Sequence, residues 1–105
     1  MKIEEMNRQL CLFAKTNGVI IRKETGRFKS GFCLVNDSKL IILNKMASEE
    51  YQCKIIALGI TFFEIETDKC KPEIAKFIEK ECDNADLAAF QIDLDITQSA
   101  LKEQH

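Results

Sequence analysis

The chain carries five cysteines, Cys11, Cys33, Cys53, Cys70 and Cys82, and a single histidine, His105, at its last position. Thiols can act as nucleophiles or bind zinc, and both uses commonly draw on an imidazole. A lone histidine at a chain end, where termini fray, excludes a Ser/His/Asp triad, a Cys–His dyad and a two-histidine zinc site. The gaps between the cysteines are 22, 20, 17 and 12 residues, with no C-x-x-C pair. A zinc ribbon needs such close pairs, and an odd count does not suit a disulfide framework. The cysteines therefore read as reduced, mostly buried thiols acting as small hydrophobes. Cys33 is the one to test for reactivity. It follows a basic stretch, and nearby positive charge lowers a thiol pKa, although strand burial is the plainer reading.

The charged residues give three further candidates. Arg22, Lys23, Arg27 and Lys29 lie within eight residues around Phe28. A basic loop with an aromatic can grip an anion, stack on a base or meet a partner, so Arg22, Arg27, Phe28 and Lys29 are the candidate contact residues. The plainer reading is a solvated hairpin loop. Gly26 and Gly31 have P-loop spacing, but Phe32-Cys33 stand where Lys-Ser/Thr is required. Glu64 and Glu66 alternate as paired carboxylates would for acid/base work, but two exposed strand glutamates are the plainer reading. Asp83, Asp86, Asp93 and Asp95 lack the ligand count and glycine turn of a calcium loop. Asn36-Asp37-Ser38 is a glycosylation sequon that a cytoplasmic chain would never use.

Bulk composition sets the frame. The chain has 105 residues, 46% hydrophobic and 30% charged, with 15 basic and 17 acidic side chains and a net charge of −2. That is the size and make-up of one globular domain. The near balance of charge argues against general nucleic-acid binding and against a polybasic membrane surface. No apolar run approaches the roughly 18 residues of a membrane span, and the N-terminus MKIEEMNRQL lacks the apolar core of a signal peptide, so a cytoplasmic location is expected.

These residues must be placed by a small set of elements. Ile3, Met6, Leu10, Phe13 and Ala14 mark an amphipathic helix over 3–16, stopped by Asn17-Gly18. Residues 19–23, 31–35 and 39–43 read as strands, the last two joined by the turn Asn36–Lys39 into a hairpin. Strands two and three are apolar at successive positions, as in a sheet covered on both faces. Ser48 is an N-cap, followed by Glu49 and Glu50 at the positive end of a helix running to about Gly59. That helix is apolar on two faces, one with Tyr51, Ile55 and Leu58, the other with Cys53, Ile56, Ala57 and Ile60, and so should be buried mid-domain. Residues 60–66 fit a short strand or an extended connection. Pro72 opens another helix carrying Ile74, Phe77, Ile78 and Cys82. Residues 85–90 look helical, while Phe90, Ile92, Leu94 and Ile96 alternate like a strand. The last eight or so residues are polar and expected to be loose.

From Leu10 to Ile60 the chain resembles the N-terminal half of the ImmA/IrrE family of zinc metallopeptidases. The matching words are FAKTNGVIIRKE, SGFCLVNDSKLIILN and MASEEYQCKIIALGI. The family's metal helix carries a H-E-L-G-H type sequence, and the corresponding residues here are Ile56, Ala57, Leu58, Gly59 and Ile60. Two histidines one turn apart would hold zinc and the glutamate would act as general base. Isoleucine stands at both histidine positions and alanine at the glutamate position, so the resemblance implies a degenerate metal face with its chemistry removed. An apolar face of that kind needs a cover, and the helix bearing Ile74, Phe77 and Ile78 is the expected one.

The expected fold is α+β in a single domain, 1–105: an N-terminal helix, a small three-stranded, mostly antiparallel sheet, a central buried helix, and a C-terminal helix packed over it. No catalytic residue, cofactor or metal is assigned. The expected function is a non-catalytic protein-interaction or regulatory module, acting on a protein partner or by self-association. The alternative is an enzyme with a cysteine- or carboxylate-based site.

Overall fold

The computed structural model describes residues 1–83 and 85–92. Helix α1 spans Ile3–Thr16, and it ends where Gly18 takes a φ of +83°. Asn17 donates its side-chain amide to the Phe13 carbonyl, closing the last turn. Strands β1 (Val19–Glu24), β2 (Gly31–Val35) and β3 (Ser38–Asn44) follow. Asn36 and Asp37 form a two-residue turn with φ of 49° and 68°. Such a turn matches the right-handed twist of a hairpin, and Asn and Asp tolerate this conformation better than other side chains.

The fold is α+β, and its sheet is mixed. The strand order is β1-β3-β2, with β2 antiparallel and β1 parallel to β3. This differs from the expected mostly antiparallel arrangement. The reason lies in the connection from β1 to β2. It crosses the C-terminal end of β3 instead of turning back at once, so the hairpin brings β3 down between the other two strands. Asn44, the last residue of β3, secures that crossing. Its side-chain amide donates to the carbonyls of Gly26 (2.7 Å) and Phe28 (2.9 Å), and its backbone N–H donates to Ser30 Oγ (2.8 Å).

As the central strand, β3 buries Leu40, Ile41, Ile42 and Leu43 in succession. Ile41 and Leu43 face the helices together with Val19 and Phe32. Leu40 and Ile42 face the other way with Cys33, covered by Phe28, Val35 and Ile92. Successive burial thus reflects two covered faces.

Helix α2 runs Glu49–Phe62, three residues beyond the expected end, so residues 60–62 are helical and not strand or extended. Ser48 Oγ accepts from the Tyr51 N–H at 3.2 Å, as an N-cap should. Eight of the nine residues from Gln52 to Ile60 are buried, because α1, the sheet and a third helix all pack on α2. Asn7 of α1 donates to Gln52 of α2 at 3.4 Å, a buried polar contact that helps set the register of the two helices. Helix α3 spans Pro72–Cys82, with proline in its first turn as expected. It lies against α2 and contributes Ile74 and Ile78 to the main core.

A short 3-10 turn, α4 (Leu87–Phe90), leads to the far edge of the sheet. There Gln91 bridges Phe32 in parallel, and the Ile92 N–H donates to the Phe32 carbonyl at 3.0 Å. The expectations for Asp93, Leu94, Asp95, Ile96 and the last eight or so residues fall outside the described residues.

Candidate functional site

The three positions that the resemblance aligns with metal chemistry are Ile56, Ala57 and Ile60. All three are wholly buried in the main core. Around them α3 supplies apolar cover, and Cys82 closes its end: its thiol shares a 3.0 Å hydrogen bond with Thr61 Oγ1 and donates to the Ala57 carbonyl at 3.8 Å. Aliphatic side chains offer no lone pair to a metal and no proton acceptor to a water. This face can pack, and it cannot ligate. Among the described residues, no three His, Cys, Asp or Glu side chains cluster as a metal set.

The basic stretch is split by the fold. Register with Leu40 and Ile42 puts Ile20 and Arg22 on the outer face of the sheet, away from the helices. Arg22 is half-buried and pairs with Glu24, Nη2 to Oε1, at 3.3 Å. Phe28 is half-buried and packs against Cys33, Leu40 and Ile42 on this same face. Its ring is committed to packing, not presented as a free stacking platform. Arg27 and Lys29 flank it on the loop, both exposed. The Asn44 clasp therefore fixes the backbone that carries these two cations.

Cys33 is buried on the outer sheet face, which removes the accessible thiolate that reactivity requires. Cys11, Cys53, Cys70 and Cys82 are free thiols. Burial pushes the Cys53 thiol up to about 12, and burial likewise raises Cys11, Cys70 and Cys82. These four are protonated at neutral pH, and each thiol makes a weak hydrogen bond: Cys11 to Asn7 Oδ1, Cys53 to the Ile3 carbonyl, Cys70 to the Thr67 carbonyl, and Cys82 as above.

Glu64 and Glu66 are exposed in the connection between α2 and α3, not on a strand. They line two open surface clefts of about 560 and 570 Å³, one reaching to Lys39 and Lys69, the other to Glu79 and Asp83. Neither cleft holds a buried carboxylate of the kind acid/base catalysis uses. Asp86 caps the 3-10 turn by accepting from the Ala88 N–H at 3.1 Å, which accounts for it structurally.

Met46 is 76% exposed in the turn after β3, and Tyr51 is partly exposed in the first turn of α2, with Glu49 and Glu50 exposed between them. Tyr51, expected on an apolar face of a helix buried mid-domain, is thus exposed, and burial in α2 begins at Gln52. On the outer sheet face Ile20 is 51% exposed, beside the basic side chains. Among the described residues no helix is long and apolar enough to cross a membrane. Comparison with family models, curated proteins and solved structures finds no match to this chain.

Proposed function

We propose that this chain is a non-catalytic protein-interaction module of the cytoplasm, built on a core like that of the ImmA/IrrE peptidases with the metal chemistry replaced by packing. The observation that carries this is the complete burial of Ile56, Ala57 and Ile60 beneath α3, where a working peptidase of that kind would need polar ligands open to water. What the surface offers instead is apolar side chains with charge beside them: Ile20 next to Arg22, and Met46 and Tyr51 next to Glu49 and Glu50. Methionine, aromatic residues and arginine are the side chains enriched at contact surfaces, and Met46, Tyr51 and Arg27 are exposed here.

Two measurements test it together. Purified chain supplied with zinc is assayed against casein, and a photo-crosslinking phenylalanine is placed at position 20, 27 or 46 in the cells that make the chain. No zinc-dependent hydrolysis and a discrete protein adduct are expected. Zinc-dependent hydrolysis, or the absence of an adduct from all three positions, would overturn the proposal.

A further inference from the structure

The two-residue turn at Asn36 and Asp37 decides which way the backbone groups of β2 point. It makes Val35 and Ser38 the closing hydrogen-bonded pair of the hairpin. Antiparallel pairing alternates along a strand. Gly31, Cys33 and Val35 therefore turn their N–H and C=O toward β3, and Phe32 and Leu34 turn theirs to the opposite edge. At Phe32 that edge is occupied. The Phe32 carbonyl accepts from the Ile92 N–H at 3.0 Å, and Gln91 pairs with Phe32 in parallel. Gly31 admits the incoming backbone, since a Cβ there would overlap the Phe90 carbonyl oxygen. Leu34 is the next position with edge-facing groups, and its side chain is 57% exposed. On the outer face, Ile92 packs with Cys33, Leu40 and Ile42, and half-buried Val35 borders the same cluster.

We infer that the Leu34 edge of β2 is the docking site of the chain's own residues 93 and 94, which extend the parallel pairing begun at Gln91 to the end of the strand. Continuing that register sets Ile92 beside Cys33, Asp93 beside Leu34 and Leu94 beside Val35. The next rung is then the Leu34 N–H donating to the Ile92 carbonyl and the Leu94 N–H donating to the Leu34 carbonyl. Residue types agree with these positions. Leu94 falls on the outer face, where Val35 and the apolar cluster lie, and Asp93 falls on the other face beside the exposed Leu34. An open strand edge is a template for unwanted pairing. A segment already tethered at Ile92 reaches that edge at high effective concentration, ahead of any separate partner.

Amide hydrogen exchange of the full chain, followed residue by residue by NMR, gives the test. The Leu34 and Leu94 amides should be protected, and the Asp93 amide, which turns to solvent, should exchange freely. Leu94→Pro removes the donor to the Leu34 carbonyl. It should speed exchange at Leu34 by about tenfold or more while Ile41 and Ile42 in the central strand keep their protection. Asp93→Pro, at the solvent-facing position, should leave Leu34 as slow as in the wild type. A Leu94 amide that exchanges as fast as an unstructured peptide would overturn the inference. So would Leu34 exchange that Leu94→Pro leaves unchanged. Equal loss of Leu34 protection from both prolines would overturn it as well, because the pairing would then not run through Leu94.

Discussion

Gly59 of α2 and Ile41 of β3 meet where the central helix crosses the central strand, and a Cβ on Gly59 would lie 2.8 Å from Ile41 Cδ1 and 3.4 Å from Phe32 Cδ2. Glycine in a helix interior is a local cost, and here it is accepted because it lets the helix come down onto the sheet. Alanine would gain roughly 1 kcal/mol in helix propensity. Overpacking a wholly buried site costs roughly 1–3 kcal/mol, so Gly59→Ala should destabilise the chain by about 1 kcal/mol net. Urea denaturation checks the sign. Ile41→Val, which removes the Cδ1 in the way, should make Gly59→Ala less harmful in the double variant than in the single one.

The Asn44 clasp should be sensitive to chemistry as well as size. Asn44→Ala loses two donated hydrogen bonds and one accepted bond, for a cost of about 2 kcal/mol. Asn44→Asp keeps the acceptor for Met46 but turns an acceptor toward the two loop carbonyls. Aspartate should therefore be no better tolerated than alanine, despite its shape. Thermal unfolding of both variants tests this, and an aspartate variant as stable as wild type would show that the loop does not depend on those donated bonds.

At the far edge of the sheet, Gly31 makes room for the segment after α4. A Cβ there would overlap the Phe90 carbonyl oxygen and Ile92 Cγ2. Backbone cannot rotate out of the way as a side chain can. Gly31→Ala should thus detach Leu87–Ile92 from β2 and leave the β2–β3 hairpin formed. In hydrogen exchange the Ile92 amide, which donates to the Phe32 carbonyl, should lose protection, with the central strand keeping its own.

The buried thiols give a pH dependence of definite sign. Burial raises Cys53 from 9.0 to about 12, so the folded state holds its proton where the unfolded chain gives it up. The contribution is whole below pH 9 and is lost as pH climbs from 9 toward 12. Stability measured in urea across this range should fall, and Cys53→Ala should fall less steeply. Equal slopes in the two proteins would remove Cys53 as a source of the alkaline loss.

Much of the secondary structure was legible in the sequence because it rests on local causes. The 3.6-residue spacing of Ile3, Met6 and Leu10 makes α1, Gly18 ends it with a positive φ, Ser48 caps α2, and Pro72 opens α3. Even the two-faced pattern of α2 forecast a helix covered on both sides. The candidate site was legible only in part. Composition located the basic loop, but nothing local said that Phe28 would turn inward or that Arg22 would pair with Glu24. Nothing local said that Tyr51, on an apolar face of α2, would be exposed, because exposure of an apolar side chain depends on which neighbours arrive.

What the sequence determined by itself was the set of elements and the absence of ligating residues at positions 56, 57 and 60, since both follow from residue types in place. Tertiary structure alone decided that β1 pairs in parallel with β3, that Gly59 and Gly31 are points of close approach, and that α3 buries the aliphatic face of α2. Each of these is a contact between residues distant in the chain. Apolar burial drives such contacts without regard to sequence separation, so local pattern specifies the surfaces to be covered and packing selects what covers them.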